Sequence, residues 1–148
     1  MSPENTLPKS EDCNCLAARQ AARHVTQFYD QIMAPAGLRT SQFSLLAKLQ
    51  RLGPLSINAL AAEMVMDRTT LGRTIRPLVR DGLVAIAKEA ADRRSKQLRL
   101  TDRGAERLRE AVKHWIRAQD RFDEIFGSEQ SANFRAVLHA VTAHELTP

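Results

Sequence analysis

Between Met66 and Gly82 the chain reads MDRTTLGRTIRPLVRDG, and this stretch constrains the rest more than any other. At 100° per residue Leu71, Ile75 and Leu78 fall on one helical face, and Thr69, Arg73, Arg76 and Arg80 fall on the opposite one. A helix of this kind buries its first face against the rest of the chain and leaves guanidiniums and a hydroxyl outside. Asp67 stands at the N-cap, where a carboxylate accepts from the free N–H groups of the first turn. Gly82 stands where the chain leaves the helix at positive φ. Pro77 removes one backbone bond inside the helix and can kink its axis. Arginine forks match phosphate oxygens and the O6/N7 edge of guanine, so the outer face has the chemistry of a nucleic-acid reader. A solvated face on an ordinary amphipathic helix has the same pattern, and the flanking sequence decides between the two.

Charge placement is the first flanking argument. The chain of 148 residues carries a net charge of +5. From Asp67 to Arg99 there are nine Lys/Arg against four Asp/Glu, so this segment holds the whole surplus. Local basic charge of this density favours an anionic partner. The length suits one domain with a real core. No apolar run approaches the roughly 18 residues of a membrane span, and the N-terminus MSPENTLPKSED lacks the pattern of a secretory signal. The expected compartment is the cytoplasm, with no membrane partner.

The order of elements is the second argument. Residues 1–11 are expected to form a flexible tail and residues 12–148 a single domain. A first helix is predicted from near Cys13 to about Ala34, ended by Pro35 and Gly37. A second, capped by Thr40 or Ser41, runs to about Leu52 before Gly53-Pro54. Ser56 caps a short third helix ending near Val65. The basic helix follows directly, which is the helix-turn-helix arrangement. After Gly82 the period changes. Leu83–Ala87 and Gln97–Thr101 read as strands, and Lys88–Lys96 as a long charged hairpin tip, because no Asn-Gly pair marks a two-residue turn. A basic hairpin behind such a helix is a wing. Asp92 is placed to hold Arg94 extended, as an arginine entering a minor groove must be; the alternative is a surface ion pair of little energetic weight. Thr101 caps a long helix closed by Gly127, and Ser128 or Ser131 opens a last one with Phe134, Val137, Leu138 and Val141. The terminal helices carry more apolar surface than the small head can cover, and a two-fold dimer is the simplest cover. The expected fold is therefore mainly α with a small β-hairpin wing: a winged helix-turn-helix over about 40–104, dimerised by helices at about 13–34 and 101–146.

Several strings carry a family resemblance: Ser56-Ile57-Asn58-Ala59-Leu60-Ala61, Asp67-Arg68-Thr69-Thr70-Leu71 with Asp81-Gly82-Leu83, and Asp92-Arg93-Arg94 with Leu100-Thr101-Asp102-Arg103-Gly104. With the order of elements they resemble the MarR family of winged-helix regulators. The resemblance implies a homodimer with recognition helices in successive major grooves of a palindromic operator in double-stranded DNA, and wings on the flanking minor grooves. It implies repression relieved by a small-molecule effector, often aromatic or carboxylate, or by an oxidant. It makes Arg94 the wing arginine and Asp92 its partner. It also puts an effector pocket between the first, second and fifth helices and the head, near His24, Phe43 and Trp115; the residues of that pocket stay open.

The expected DNA contacts follow. Thr69, Thr70 and Arg73, with Arg68, reach base edges; Ser56, Arg76 and Arg80 hold phosphates; Arg94, supported by Arg93 or Lys96, meets the minor groove. Cys13 and Cys15 are either free structural thiols or a redox switch, and two residues apart on a helix they point roughly 200° from one another. The histidines at 24, 114, 139 and 144 show no ligand spacing with the cysteines, so no metal and no cofactor is expected. No Gly-rich phosphate loop and no nucleophile elbow is present, so the chain is not read as an enzyme. The rivals are a thiol-based redox-sensing regulator and a winged-helix protein–protein adaptor.

Overall fold

The computed structural model describes residues 7–148 except 90 and 91, with the backbone alone for residues 88–89 and 92–95. Its elements are α1 (Asn14–Met33), α2 (Thr40–Leu52), β1 (Leu55–Ser56), α3 (Ile57–Met64), α4 (Arg68–Arg80), β2 (Val84–Glu89), β3 (Asp92–Leu100), α5 (Asp102–Phe126) and α6 (Ser128–Ala143). Single 3-10 turns lie at Ser10–Asp12 and Ala34–Ala36. The chain is thus mainly helical with one small antiparallel sheet in the order β1-β3-β2.

The core sits beneath the head. Leu45, Leu46 and Leu49 of α2, Leu60 of α3, Leu71 and Leu78 of α4, Leu83 before β2 and Leu98 of β3 are fully buried together. Each such side chain stabilises the head by about 1.5–3 kcal/mol relative to exposure. Leu108 and Ala111 of α5 join the same cluster, which ties the head to the long helix. Beyond them α5 packs on α1 and α6 through aromatic rings: Phe28, Tyr29, Phe122, Phe126 and Phe134 lie with centroids 5.6–6.5 Å apart.

Two expectations are corrected. The wing has no nine-residue tip: β2 and β3 stay paired out to Glu89 and Asp92, with a bulge between Lys88 and Glu89. Charged residues disguised the pairing, because both faces of this part of the ribbon are polar and the alternation that marks a strand is missing. The cap of α2 is neither Thr40 nor Ser41. The helix begins at Thr40, whose N–H donates to Asp30 Oδ1 of α1 at 2.7 Å, while Arg39 N–H donates to the Gln42 side chain at 3.0 Å. A carboxylate ten residues away does the capping, and no local pattern shows that. Pro77 lies inside α4, which runs continuously to Arg80. Of the expected tail, residues 1–6 lie outside the described residues, and residues 10–12 form the first 3-10 turn.

One junction positions the wing against the long helix. Thr101 Oγ1 accepts from Gly104 N at 2.9 Å as the α5 N-cap and donates to Gly82 O at 2.7 Å. Thr101 N donates to Leu83 O at 3.1 Å. Gly82, at φ +75°, makes the turn that brings these carbonyls round. The end of α4, the root of the wing and the start of α5 therefore meet in one hydrogen-bonded knot. No helix among the described residues is long and apolar enough to cross a membrane.

Candidate nucleic-acid interface

The helix pair α3–α4 is held by its caps. Ser56 Oγ accepts from Ala59 N at 3.1 Å, which leaves the hydroxyl proton free to donate outward. Asp67 accepts the N–H of Thr70 at 2.7 Å and the Thr70 hydroxyl at 2.9 Å. These two donors hold the Asp67 carboxyl below its ordinary value. A depressed value means that this cap stabilises α4 above about pH 4 and is lost as pH falls through the folded-state value. The turn between the helices is made by Val65 at φ +52°, with Met66 N bonded to Ala61 O at 2.9 Å. A β-branched residue in the left-handed region costs about 1–2 kcal/mol. The side chain is 73% exposed and recovers little of that by burial.

The two faces of α4 separate as its spacing predicts. Leu71, Ile75 and Leu78 are buried, and Arg68, Thr69, Thr70, Arg73, Arg76 and Arg80 are exposed. Thr70 spends its hydroxyl proton on Asp67, so it offers only an acceptor and a methyl outward. Arg80 Nε lies 3.3 Å from Asp81 Oδ1. Arg68, Arg73 and Arg76 have no ion pair among the described residues, although Asp67 and Asp81 bracket the helix. Three unneutralised guanidiniums on one rigid helix make a surface that favours an anion. Arg39, which the sequence reading passed over, extends it: with Ser41, Gln42, Arg73, Thr74 and Pro77 it lines a polar cleft of about 420 Å³ between α2 and α4. The approach of α2 to α4 that creates this cleft is tertiary, and no spacing along the chain signals it.

The wing's backbone is in place beside the head: Leu55 and Ser56 pair with Leu98 and Gln97. Ser56 is thus both the end of β1 and the cap of α3. Lys96 is exposed. The side chains of Asp92, Arg93 and Arg94 lie outside the described residues. The remaining candidates are dispersed. Cys13 and Cys15 are free and exposed, and His24 is exposed on α1. Phe43 and Trp115 stack on each other, centroids 6.0 Å apart with 22° between planes.

This geometry can be set beside known proteins. The model of the MarR family matches residues 38–96, from the approach to α2 through the exposed Lys96 of the wing. The transcriptional regulator MosR of M. tuberculosis, solved in complex with DNA, is 34% identical over 89% of this chain and 95% of its own, with a TM-score of 0.78. The chain belongs to the MarR family. Two further MarR-like structures superpose as well. The transcriptional repressor CouR, bound to a 23-mer DNA duplex, is 26% identical over 91% of this chain and 97% of its own, at TM-score 0.80. PcaV of Streptomyces coelicolor, solved with its natural ligand, shares the fold at 20% identity and TM-score 0.80, over 93% of this chain and 97% of its own. No curated protein sequence matches significantly.

Proposed function

We propose that this MarR-family chain is a sequence-specific DNA-binding transcriptional regulator that works as a two-fold dimer and represses until a small molecule releases it. The observation that carries the reading is the outer face of α4: Arg68, Arg73 and Arg76 exposed without ion pairs among the described residues, on a helix whose other face is locked in the core. Arg73 and Thr69, with Arg68 and the acceptor of Thr70, read base edges in the major groove. Ser56, Arg76, Arg80 and Arg39 hold phosphates, and Arg94, with Arg93 or Lys96, enters the minor groove. MosR and CouR, both solved on DNA, support the assignment.

The dimer reading is supported by what the single chain leaves bare. A groove of about 500 Å³ runs between α1 and α6, lined among others by Ala17, Ala21, Val25, Phe134 and Leu138. Val137 and Val141 stand exposed beside it at 63% and 49%. A two-fold partner covering this apolar surface sets the two α4 helices roughly one DNA turn apart, about 34 Å. Residues 12–148 then act as one unit, the head at about 40–104 and the pairing helices on either side. An effector acts by changing the angle between the heads, so that half-site spacing no longer fits.

The phosphate role has a direct test. Arg76→Ala is expected to weaken operator and random duplexes alike, and to flatten the plot of log affinity against log salt by about one unit. Fluorescence anisotropy over a salt titration reads both. An unchanged slope would remove Arg76 from the phosphate contacts.

One observation favours a second, redox reading. Cys13 is the N-cap of α1, its Sγ accepting from Leu16 N at 3.4 Å, and Cys15 lies in the first turn. Peroxide oxidising both thiols to a disulfide, with release of two waters, would unwind that turn. DNA release by peroxide in the parent, absent in Cys13→Ser, distinguishes this reading from a purely ligand-driven one.

A further inference from the structure

At the start of α4, Asp67, Arg68, Thr69 and Thr70 are all exposed. Asp67 puts a carboxylate on the leading edge of an otherwise basic surface, where it opposes the approach of phosphates. Capping alone does not require that charge, because serine or asparagine caps a helix about as well. What neither of them can do is accept twice from one residue. Asp67 Oδ1 accepts the Thr70 N–H at 2.7 Å, and Oδ2 accepts the Thr70 hydroxyl at 2.9 Å. A serine offers a single oxygen, and an asparagine one oxygen and an NH₂ that only donates.

The consequence falls on Thr70. A hydroxyl has one proton and two lone-pair sites. An ionised carboxylate only accepts, so the Thr70 proton is committed to Asp67 and Oγ1 keeps lone pairs alone for anything outside. No other described group donates to that oxygen: Thr74 Oγ1 donates to the Thr70 carbonyl instead, at 3.1 Å. The Thr69 hydroxyl has no hydrogen bond among the described residues, so the restriction belongs to Thr70. Thr70 lies about 60° round the helix axis from Arg73 and nearly one turn before it, beside the outer face. In the major groove adenine N6 and cytosine N4 are amino donors, while guanine O6 and thymine O4 are acceptors. Lone pairs facing an amino group make a hydrogen bond. Lone pairs facing a carbonyl leave two acceptors unpaired in a dehydrated interface.

We infer that Asp67 fixes the polarity of Thr70, so that at one base of each half-site the protein selects an amino group, on adenine or cytosine, over the carbonyl of guanine or thymine. Asp67 acts through Thr70 and is a positioning residue. The inference rests on the regulator reading, since it names the class of base that this face selects.

The probe is a duplex enriched from a random pool by the full chain. Each A and C of the half-site is changed in turn to G or T, which exchanges an amino donor for a carbonyl at the same place on the groove edge. Anisotropy at one fixed salt concentration compares these duplexes with a scramble. At one position the parent is expected to lose about two- to tenfold per half-site. In Asp67→Asn the amide oxygen still caps the Thr70 N–H, and the NH₂ donates to Oγ1, which turns the hydroxyl proton outward. This variant is expected to prefer the G or T duplex at that position, reversing the parent's order. It should also bind every duplex more tightly, the scramble included, because a negative charge is gone. Thr70→Val keeps the cap and the shape without the oxygen, and should lose the preference for the amino base. A cap with no other role would leave the order of bases unchanged in Asp67→Asn. That result, or a full preference retained in Thr70→Val, would overturn this assignment and leave the regulator reading standing. A pool that does not enrich would overturn both.

Discussion

Gly104→Ala will destabilise the protein by about 3 kcal/mol, although alanine is the better helix former. Propensity alone favours alanine over glycine in a helix by about 0.5–1 kcal/mol. Position reverses the sign. A Cβ on Gly104 would lie 2.1 Å from Leu83 O, 2.7 Å from Leu100 Cδ1 and 3.0 Å from Leu83 C. The first and last of these are backbone atoms, so no rotamer change relieves the overlap. The root of β2 would have to move from the start of α5, against the two Thr101 hydrogen bonds, to Gly82 O and Leu83 O, that hold it. Gly72 of α4 is the control, because nothing lies within 4 Å of a Cβ there. Gly72→Ala should be neutral or gain up to about 1 kcal/mol. For a domain of this size 3 kcal/mol corresponds to a fall in Tm of about 6–12 °C. Thermal unfolding of the two variants side by side checks the account. Equal behaviour of the two would show that the Leu83 carbonyl does not set the requirement.

Arg73→Ala will cost operator affinity about 1–3 kcal/mol, roughly 5- to 150-fold, and will relax the choice of base at one position of each half-site. The argument is geometric. Arg73 stands in the middle of the exposed face, one turn beyond Thr69, with no carboxylate holding its fork among the described residues. A bidentate pair with guanine explains both effects, whereas a phosphate contact explains only the loss of affinity. Anisotropy on a set of duplexes with single base-pair changes separates them. Equal losses on operator and random DNA would move Arg73 to the phosphate class beside Arg76.

The parts of this molecule legible in the sequence are those set by local rules. The faces of α4, its Asp67 cap, the Ser56 cap of α3, the Thr101 cap of α5 and the positive φ of Gly82 all follow from residue type and spacing over three or four positions. The parts that were not legible depend on distant contacts or on residues acting against type. Asp30 caps α2 from another helix. Val65 makes the tight turn of the head in a conformation that valine disfavours. The outer wing pairs through charged residues without an apolar stripe. Arg39 joins the basic face only because α2 packs on α4. Gly104 lies between these cases. The string Leu100-Thr101-Asp102-Arg103-Gly104 stood out as a family mark, but its reason, a helix start pressed against a strand carbonyl, is visible only in three dimensions.

The central claim is that the outer face of α4 reads sequence rather than merely charge. The direct measurement is selection of duplexes from a random pool by the purified protein, followed by anisotropy of the selected and scrambled duplexes at several fixed salt concentrations. The account predicts enrichment of a palindromic site bound about a thousandfold or more tightly than its scramble. It also predicts that the preference persists as salt weakens both. A pool that does not enrich, with equal and steeply salt-dependent binding of every duplex, would contradict it and leave a basic winged helix that serves another partner.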